Sequence, residues 1–323
     1  MPDRVPSGGP LRIAFLGNAD WSVPSLESLD GSRHDVVLVL TRAPRPSGRG
    51  RRPAPTEVAD AAGRLGIPLG EIATVRDGDG MRLLRDAEPD VLAVVAYGEI
   101  LSMGVLSVPR LMPVNVHFSL LPMLRGAAPV QRAILEGLTR TGVTTMRMDE
   151  GMDSGPILMQ TATGIGDTED AGTLGARLAG LGGPLLVQTI DALADGVLQE
   201  TPQDQSDATF APKLTSDDEA LDWTRPTDEI LRRIRALSPS PGGATTFRGR
   251  RLKVLRAGRD GGQLLGPDAT PGSVVAGRVL LVAAGRSPRE TLRLDEVQPE
   301  GKRRMSGEEF LRGYRPQAGE RLG

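Results

Sequence analysis

Three apolar runs recur along the first hundred residues and limit what the chain can fold into: Leu11–Leu16 (LRIAFL), Asp35–Thr41 (DVVLVLT) and Val91–Tyr97 (VLAVVAY). Each is nearly continuous rather than alternating, the pattern of strands covered on both faces. Between them lie segments of helical spacing: Pro24–Leu29, Thr56–Leu65, and Met81–Asp86 ahead of Pro89. Val114–His117 supplies a further strand and Ala128–Glu136 a further helix. Strands alternating with helices predict an α/β fold with a doubly wound, mostly parallel sheet. Sheets of that kind bind ligands beyond the carboxyl ends of their strands.

The later part of the chain reads differently. Thr173–Leu193 has helical spacing with a glycine-rich break expected near Gly182. A polar stretch without apolar periodicity follows Gly196 and predicts a linker over 196–209, between a first domain at 1–195 and a second at 210–323. In the second, TTFRGRRLKVLRA predicts a hairpin, and GSVVAG, RVLLVAA and TLRLDEV follow as short strands. That spacing predicts a small β-barrel, with an oligonucleotide-binding-type barrel as one candidate. A length of 323 residues suits two domains. Of 39 basic and 41 acidic residues, 21 and 15 lie from Phe210 onward, so a basic second part follows an acidic first one. A polyanionic partner would suit that asymmetry, and so would ordinary charge scatter.

Cysteine is absent, which excludes disulfides, thiolate metal sites and cysteine nucleophiles. The amino terminus lacks the apolar core of a signal peptide and no apolar run reaches spanning length, so a soluble, cytoplasmic protein is expected. The turn after the first strand, GNADW, lacks the glycines of a dinucleotide fingerprint, and no GxxxxGK phosphate loop occurs. One histidine and scattered acids fall short of a metal ligand set.

The chemistry concentrates in VNVHFSLLPMLRGAAPVQ, residues 114–131. Asn115 and His117 are two apart and project from one face of an extended strand, near its carboxyl end. An amide beside an imidazole can polarise a carbonyl. MDEGMDSG then brings Asp149, Glu150 and Asp153, any of which could orient the imidazole and accept a proton. No serine or cysteine nucleophile accompanies them, which favours direct acyl transfer over a covalent intermediate. The other histidine, His34, lies in a loop-like GSRHD. Between Arg42 and Arg52 stand five arginines, Arg42, Arg45, Arg49, Arg51 and Arg52. Guanidinium groups suit phosphates, and the interspersed Gly and Pro are expected to keep the segment off any regular element. An arm for an RNA backbone and a plain solvated loop both fit. Arg248, Arg250, Arg251, Lys253, Lys302, Arg303 and Arg304 would add a basic stripe on the barrel.

These motifs resemble the methionyl-tRNA formyltransferase family, within the wider group that uses 10-formyltetrahydrofolate. NVHFSLLPMLRGAAPVQ is similar to that family's NxHxSLLPxxRGAAPIQ signature, MDEGMDSGPIL to its second motif and VVAYGEIL to its folate-pocket strand. APKLTSDDEALDW, SPSPGGATTFRGRRLKV and VQPEGKRRMSGEEFLRG resemble its linker and barrel, so the likeness spans nearly the whole chain. The resemblance implies a catalytic trio of Asn115, His117 and Asp153, and a tetrahydrofolate site lined by Ser119, Leu120, Leu121 and Pro122. It further implies a tRNA-binding loop in TRAPRPSGRGRR with Arg49 foremost, 10-formyltetrahydrofolate as formyl donor, and no metal. Initiator Met-tRNA is then the expected partner of a cytoplasmic monomer without membrane contact. Departures are Asn18 and Ala19 for the family's Thr-Pro, Pro44 for an acidic residue, and LGEIA in place of Gln-Pro after Pro68. Two other readings compete: a formyltransferase of the same fold acting on a sugar nucleotide or other small amine, and a non-catalytic RNA-binding protein that kept the fold.

Overall fold

The computed structural model describes residues 8–47, 52–76, 78–265, 269–275, 277–286 and 289–323. The chain divides into two compact units. Unit 1 comprises 1–129, 140–164 and 175–212; unit 2 comprises 130–139, 165–174 and 213–323.

The strands of unit 1 are β1 (Arg12–Gly17), β2 (Asp35–Arg42), a hairpin of β3 (Arg45–Ser47) and β4 (Arg52–Ala54), β5 (Leu69–Ile72), β6 (Val91–Val95), β7 (Met112–His117), β8 (Arg140–Arg147) and β9 (Ile157–Gly164). Its helices are α1 (Val23–Asp30), α2 (Glu57–Leu65), α3 (Gly78–Asp86) and α4 (Met103–Leu106); α5 (Pro129–Leu135) and α6 (Ala171–Ala194) have residues in both units. Seven strands form one sheet in the order β5-β2-β1-β6-β7-β8-β9. Pairing is parallel from β5 to β7 and antiparallel from β7 to β9. The expected α/β, mostly parallel architecture is what the chain adopts. From β1 the chain winds outward to β2 and β5, then returns to the far side of β1 as β6. The winding thus reverses between β1 and β6, the kind of position at which such sheets bind ligands.

Local chemistry explains the elements. β6 is buried at every residue and pairs on both sides, which a continuous run of Val, Leu and Ala permits. α2 starts where Thr56 Oγ1 accepts from Ala59 N at 3.1 Å, and stops at Gly66, whose φ of 72° is left-handed. Asn18, one of the departures, ties three strand ends together: its Oδ1 accepts from Arg42 N at 2.7 Å and from Thr41 Oγ1 at 3.1 Å, while its Nδ2 donates to Tyr97 O. Tyr97 itself is buried, and burial with Glu99 nearby pushes its phenol well above the ordinary range.

Three expectations need correction. The basic segment is not free of regular structure: 45–47 and 52–54 pair as an antiparallel hairpin with Pro46 opposite Pro53. Neither proline has an N–H, so the pair occupies a position where the ladder needs none. The break expected near Gly182 does not exist, because α6 runs unbroken through Gly182, Gly183 and Pro184. Those glycines serve close packing instead; a Cβ on Gly183 would stand 2.7 Å from the carbonyl of Pro24. Third, β8 and β9 complete the sheet where no strand was expected.

His34 is buried and holds the start of β1: its Nδ1 accepts from Leu11 N at 3.1 Å, and its Nε2 lies 3.2 Å from Asp191. Burial lowers its pKa, a shift that Asp191 only partly opposes. The unfolded chain thus binds that proton more readily, so His34 stabilises the fold above its unfolded pKa of roughly 6.5. The contribution disappears as pH falls through the lower folded value. Thermal unfolding from pH 8 to pH 5 should show a falling Tm on the acid side, with a shallower slope in His34→Asn.

Unit 2 contains the short helix α7 (Ser216–Glu219), α8 (Thr227–Leu237), strands β10 (Gly243–Phe247), β11 (Arg250–Leu265), β12 (Val274–Val275), β13 (Leu281–Ala284), β14 (Arg289–Pro299) and β15 (Met305–Ser306), and α9 (Gly307–Tyr314). The antiparallel order is β10-β11-β14-β13-β12, with β15 added beside β14. Leu322 N donates to Gly272 O at 2.8 Å and Gly323 N to Thr246 O at 3.0 Å, so the last residues bridge the two outer edges and close the barrel. Trp223, Phe247 and Phe310 fill its core, and Tyr314 stacks on Phe310 at 4.6 Å. The basic stripe is largely exposed but not all free. Arg248 pairs with Glu320, Arg251 with Glu219 and Arg303 with Glu309, and Arg304 donates to Pro239 O.

Candidate active site

β7 carries Asn115 and His117 toward one point, and the loop between β8 and β9 brings Asp153 to meet them. Asn115 Nδ2 stands 3.4 Å from Asp153 Oδ1, and His117 Nδ1 stands 3.6 Å from Asp153 Oδ2. These are loose contacts, as is usual before a substrate draws such groups together. His117 is buried, whereas Asn115 is half-buried and the Asp153 side chain keeps 19% of its surface. The opposite ring nitrogen, His117 Nε2, lies 2.9 Å from Leu124 O. A carbonyl can only accept, so Nε2 carries a hydrogen and Nδ1 is the nitrogen left to face the site.

Asp153 is held in an unusual conformation. Its φ is 50°, in the left-handed region that Asp tolerates better than most residues. Gly126 N donates to its Oδ2 at 2.8 Å. Gln203 Nε2 donates to the carbonyls of Asp153 at 2.8 Å and Gly155 at 2.6 Å. The glycine of MDSG is required, since a Cβ on Gly155 would stand 2.0 Å from Arg147 O. Asp149 and Glu150, the other acids of the motif, are both exposed. Asp149 turns into its own loop, accepting from Ser154 Oγ and Gly151 N, both at 3.0 Å.

The segment after β7 is fixed from beneath. Thr144 Oγ1 donates to Ser119 O at 2.7 Å and accepts from Leu121 N at 3.1 Å. Gln160 Nε2 donates to Leu121 O at 2.9 Å, and Ser119 Oγ to Met123 O at 2.6 Å. The Leu121–Pro122 peptide is cis. Ser119 and Leu121 are buried, while Leu120 and Pro122 are partly exposed. Of the arginines in the basic segment, Arg42 is half-buried at the end of β2, and Arg45 and Arg52 lie on the hairpin strands. Arg49 and Arg51 lie outside the described residues.

Two residues that sequence reading passed over brace the site. Arg125 is buried, and its Nε and Nη2 donate to Gln203 Oε1 at 3.0 and 2.7 Å, with Nη1 donating to Gln205 at 2.8 Å. Gln203 therefore links a buried guanidinium to the backbone of Asp153. Arg125 was visible as the charge inside RGA; nothing in the polar stretch around Gln203 marked it. Gln203→Leu should cost about 1.5–3 kcal/mol, the worth of hydrogen bonds to a charged group, in denaturant unfolding. Gln203→Glu keeps an acceptor for Arg125 but sets a carboxylate oxygen against the carbonyls of Asp153 and Gly155, so it should recover only part of that stability and should lower kcat. Among the described residues, no group of three or more His, Cys, Asp or Glu is arranged to hold a metal. No described helix is long and apolar enough to cross a membrane.

Comparison with known proteins places this geometry in context. Residues 11–190 match the family model described as formyl transferase, and 213–315 match formyl transferase, C-terminal domain. The methionyl-tRNA formyltransferase of Methylococcus capsulatus is 43% identical over 316 residues, 97% of this chain and 100% of that protein. That of Pelotomaculum thermopropionicum is 41% identical over 308 residues, 94% and 96% of the two chains. Among solved structures, HypX from Aquifex aeolicus in complex with tetrahydrofolic acid superposes with a TM-score of 0.66 at 16% identity, over 93% of this chain and 47% of that one. An N-formyltransferase from Helicobacter canadensis, in complex with folinic acid and dTDP-3-aminofucose, gives 0.65 at 15% identity over 88% and 99%. At such identities the two structures speak for the fold.

Proposed function

This chain belongs to the methionyl-tRNA formyltransferase family, and we propose that it transfers the formyl group of 10-formyltetrahydrofolate to the α-amino group of methionyl-initiator tRNA. One observation carries the reading: an amide N–H and an imidazole nitrogen converge beside one carboxylate. The donor supplies a one-carbon unit at the formyl oxidation level. An α-amino group titrates at roughly 7.7–8.0, so a substantial fraction is already the free base near neutral pH. Its lone pair forms the new N–C bond as the carbonyl pair moves onto oxygen. Asn115 Nδ2–H and a protonated His117 Nδ1 donate to that oxygen, which is where negative charge develops. Asp153 holds the imidazolium by its opposite charge and takes the proton from the attacking nitrogen, directly or through water. Collapse then breaks the bond from the formyl carbon to the folate nitrogen, which takes up the proton that Asp153 received, directly or through water.

Ser119 and Leu121 fix the turn from within, and Leu120 and Pro122 present the partly exposed wall against which the folate lies. Arg42 at the end of β2 and Arg45, Arg49, Arg51 and Arg52 of the basic segment after it grip the RNA backbone, and the enzyme acts as a cytoplasmic monomer. If all five arginines neutralise phosphates, log K for tRNA should fall against log salt with a slope near −4. Arg49→Ala should flatten that slope by about 1, and a binding curve unmoved by salt would remove the arm from the account. The reading is tested by offering 10-formyltetrahydrofolate with charged initiator tRNA and, separately, with a dTDP-amino sugar. Formylation of the tRNA alone is expected; formylation of the sugar alone would overturn it.

A further inference from the structure

The acceptor amine is placed at Asp153, and the surface beside that carboxylate is apolar and open. Met152, the residue before Asp153, is 61% exposed, Phe210 is 62% exposed and Met123 is 39% exposed. The other four phenylalanines of the chain, Phe15, Phe118, Phe247 and Phe310, are buried. A ring left in water forgoes the large apolar gain that aromatic burial gives, so Phe210 stands apart from the rest.

Backbone ties bring the segments that carry these side chains together. Arg125 N donates to Thr209 O at 2.9 Å and Ala211 N to Arg125 O at 2.7 Å, so 209–211 runs alongside 124–126. Leu124 N also donates to Thr209 Oγ1 at 2.9 Å. Gly126, three residues after Met123, packs against the segments that carry Met152 and Phe210. A Cβ there would stand 3.5 Å from Met152 Sδ and 2.7 Å from Ala211 O, and the residue's φ is 123°. Its own N–H holds Asp153 Oδ2 at 2.8 Å. Glycine at this position therefore lets the 209–211 segment and Met152 pack against the backbone that holds the carboxylate.

We propose that Met123, Met152 and Phe210 form the subsite for the aminoacyl side chain of the acceptor, taking a flexible, unbranched apolar chain such as a thioether. The proposal rests on the reading of the acceptor as an aminoacyl-tRNA. A side chain leaves the same carbon as the attacking amine, so it must settle within a few bonds of Asp153, where these residues stand. Thioethers adapt their shape and pack well against aromatic edges. An apolar side chain gains burial against these three groups that a short or polar one does not.

The test charges one initiator tRNA with methionine, norleucine or alanine and measures kcat/KM for wild type, Phe210→Ala, Met152→Ala and Phe210→Leu. Wild type should prefer methionine and norleucine over alanine. Phe210→Ala and Met152→Ala should each lower kcat/KM for the two long side chains by about tenfold or more while leaving the alanyl acceptor nearly unchanged. Phe210→Leu should recover most of the loss, and KM for the formyl donor should stay at its wild-type value. Equal losses on all three acceptors would reduce these residues to structural support, and a rise confined to the donor KM would assign them to the folate; either overturns the subsite. Should wild type formylate none of the three, the acceptor reading itself falls.

Discussion

Asp153→Asn is expected to lower kcat by about 10²–10⁴-fold, the range for loss of a positioned general base, with little change in fold. The substitution keeps shape and removes charge. An Asn oxygen can still accept from Gly126 N, which Asp153 does at 2.8 Å. Its amide group then faces Asn115 Nδ2, where the carboxylate oxygen now stands at 3.4 Å. Two donors would confront each other, and the imidazolium would lose its counter-charge. The loss should therefore fall on kcat, with binding of tRNA and folate retained. A variant that keeps wild-type turnover would show that the proton leaves by another route.

Asn115→Ala should reduce kcat by about 10²–10³-fold, or roughly 2.7–4 kcal/mol of barrier, the usual cost of one oxyanion donor. Asn115 is half-buried on β7 and its amide makes one long contact, to Asp153 at 3.4 Å. Removing it leaves no orphaned buried partner, so stability should hardly move. His117→Ala removes a donor of the same class, but it also strips Leu124 O of its partner at 2.9 Å. That variant should lose activity and some stability together. The contrast separates chemistry from scaffold, and an Asn115→Ala enzyme within a fewfold of wild type would take the amide out of the mechanism.

What the sequence revealed followed physical rules, and so did what it hid. β1, β2 and β6 were legible because both faces are covered and nearly every side chain is apolar. β8 was hidden because its buried Thr144 and Thr145 are polar. Thr144 Oγ1 is satisfied by Ser119 O and Leu121 N, and Thr145 Oγ1 by Thr189 Oγ1 at 2.8 Å. A strand whose buried hydroxyls are paired does not look apolar. Gly182-Gly183-Pro184 suggested a break because tight packing and helix interruption use the same residues. At the site, the spacing of Asn115 and His117 announced itself through the period of a strand. The preference for Asp153 over Asp149 came from motif likeness, and its distances to the other two groups are visible only in three dimensions. Gln203 left no mark, since it joins the Arg125 guanidinium to two backbone carbonyls that any sequence would supply.

The central claim is direct transfer of one formyl group onto the amine of a charged initiator tRNA. The most direct measurement is a single turnover with formyl-labelled 10-formyltetrahydrofolate, quenched in acid and divided into protein and tRNA fractions. The account predicts label on initiator Met-tRNA, released as formyl-methionine, and none on the protein at any time. Label accumulating on the protein before the tRNA, or a tRNA that stays unlabelled while donor is consumed, would contradict it.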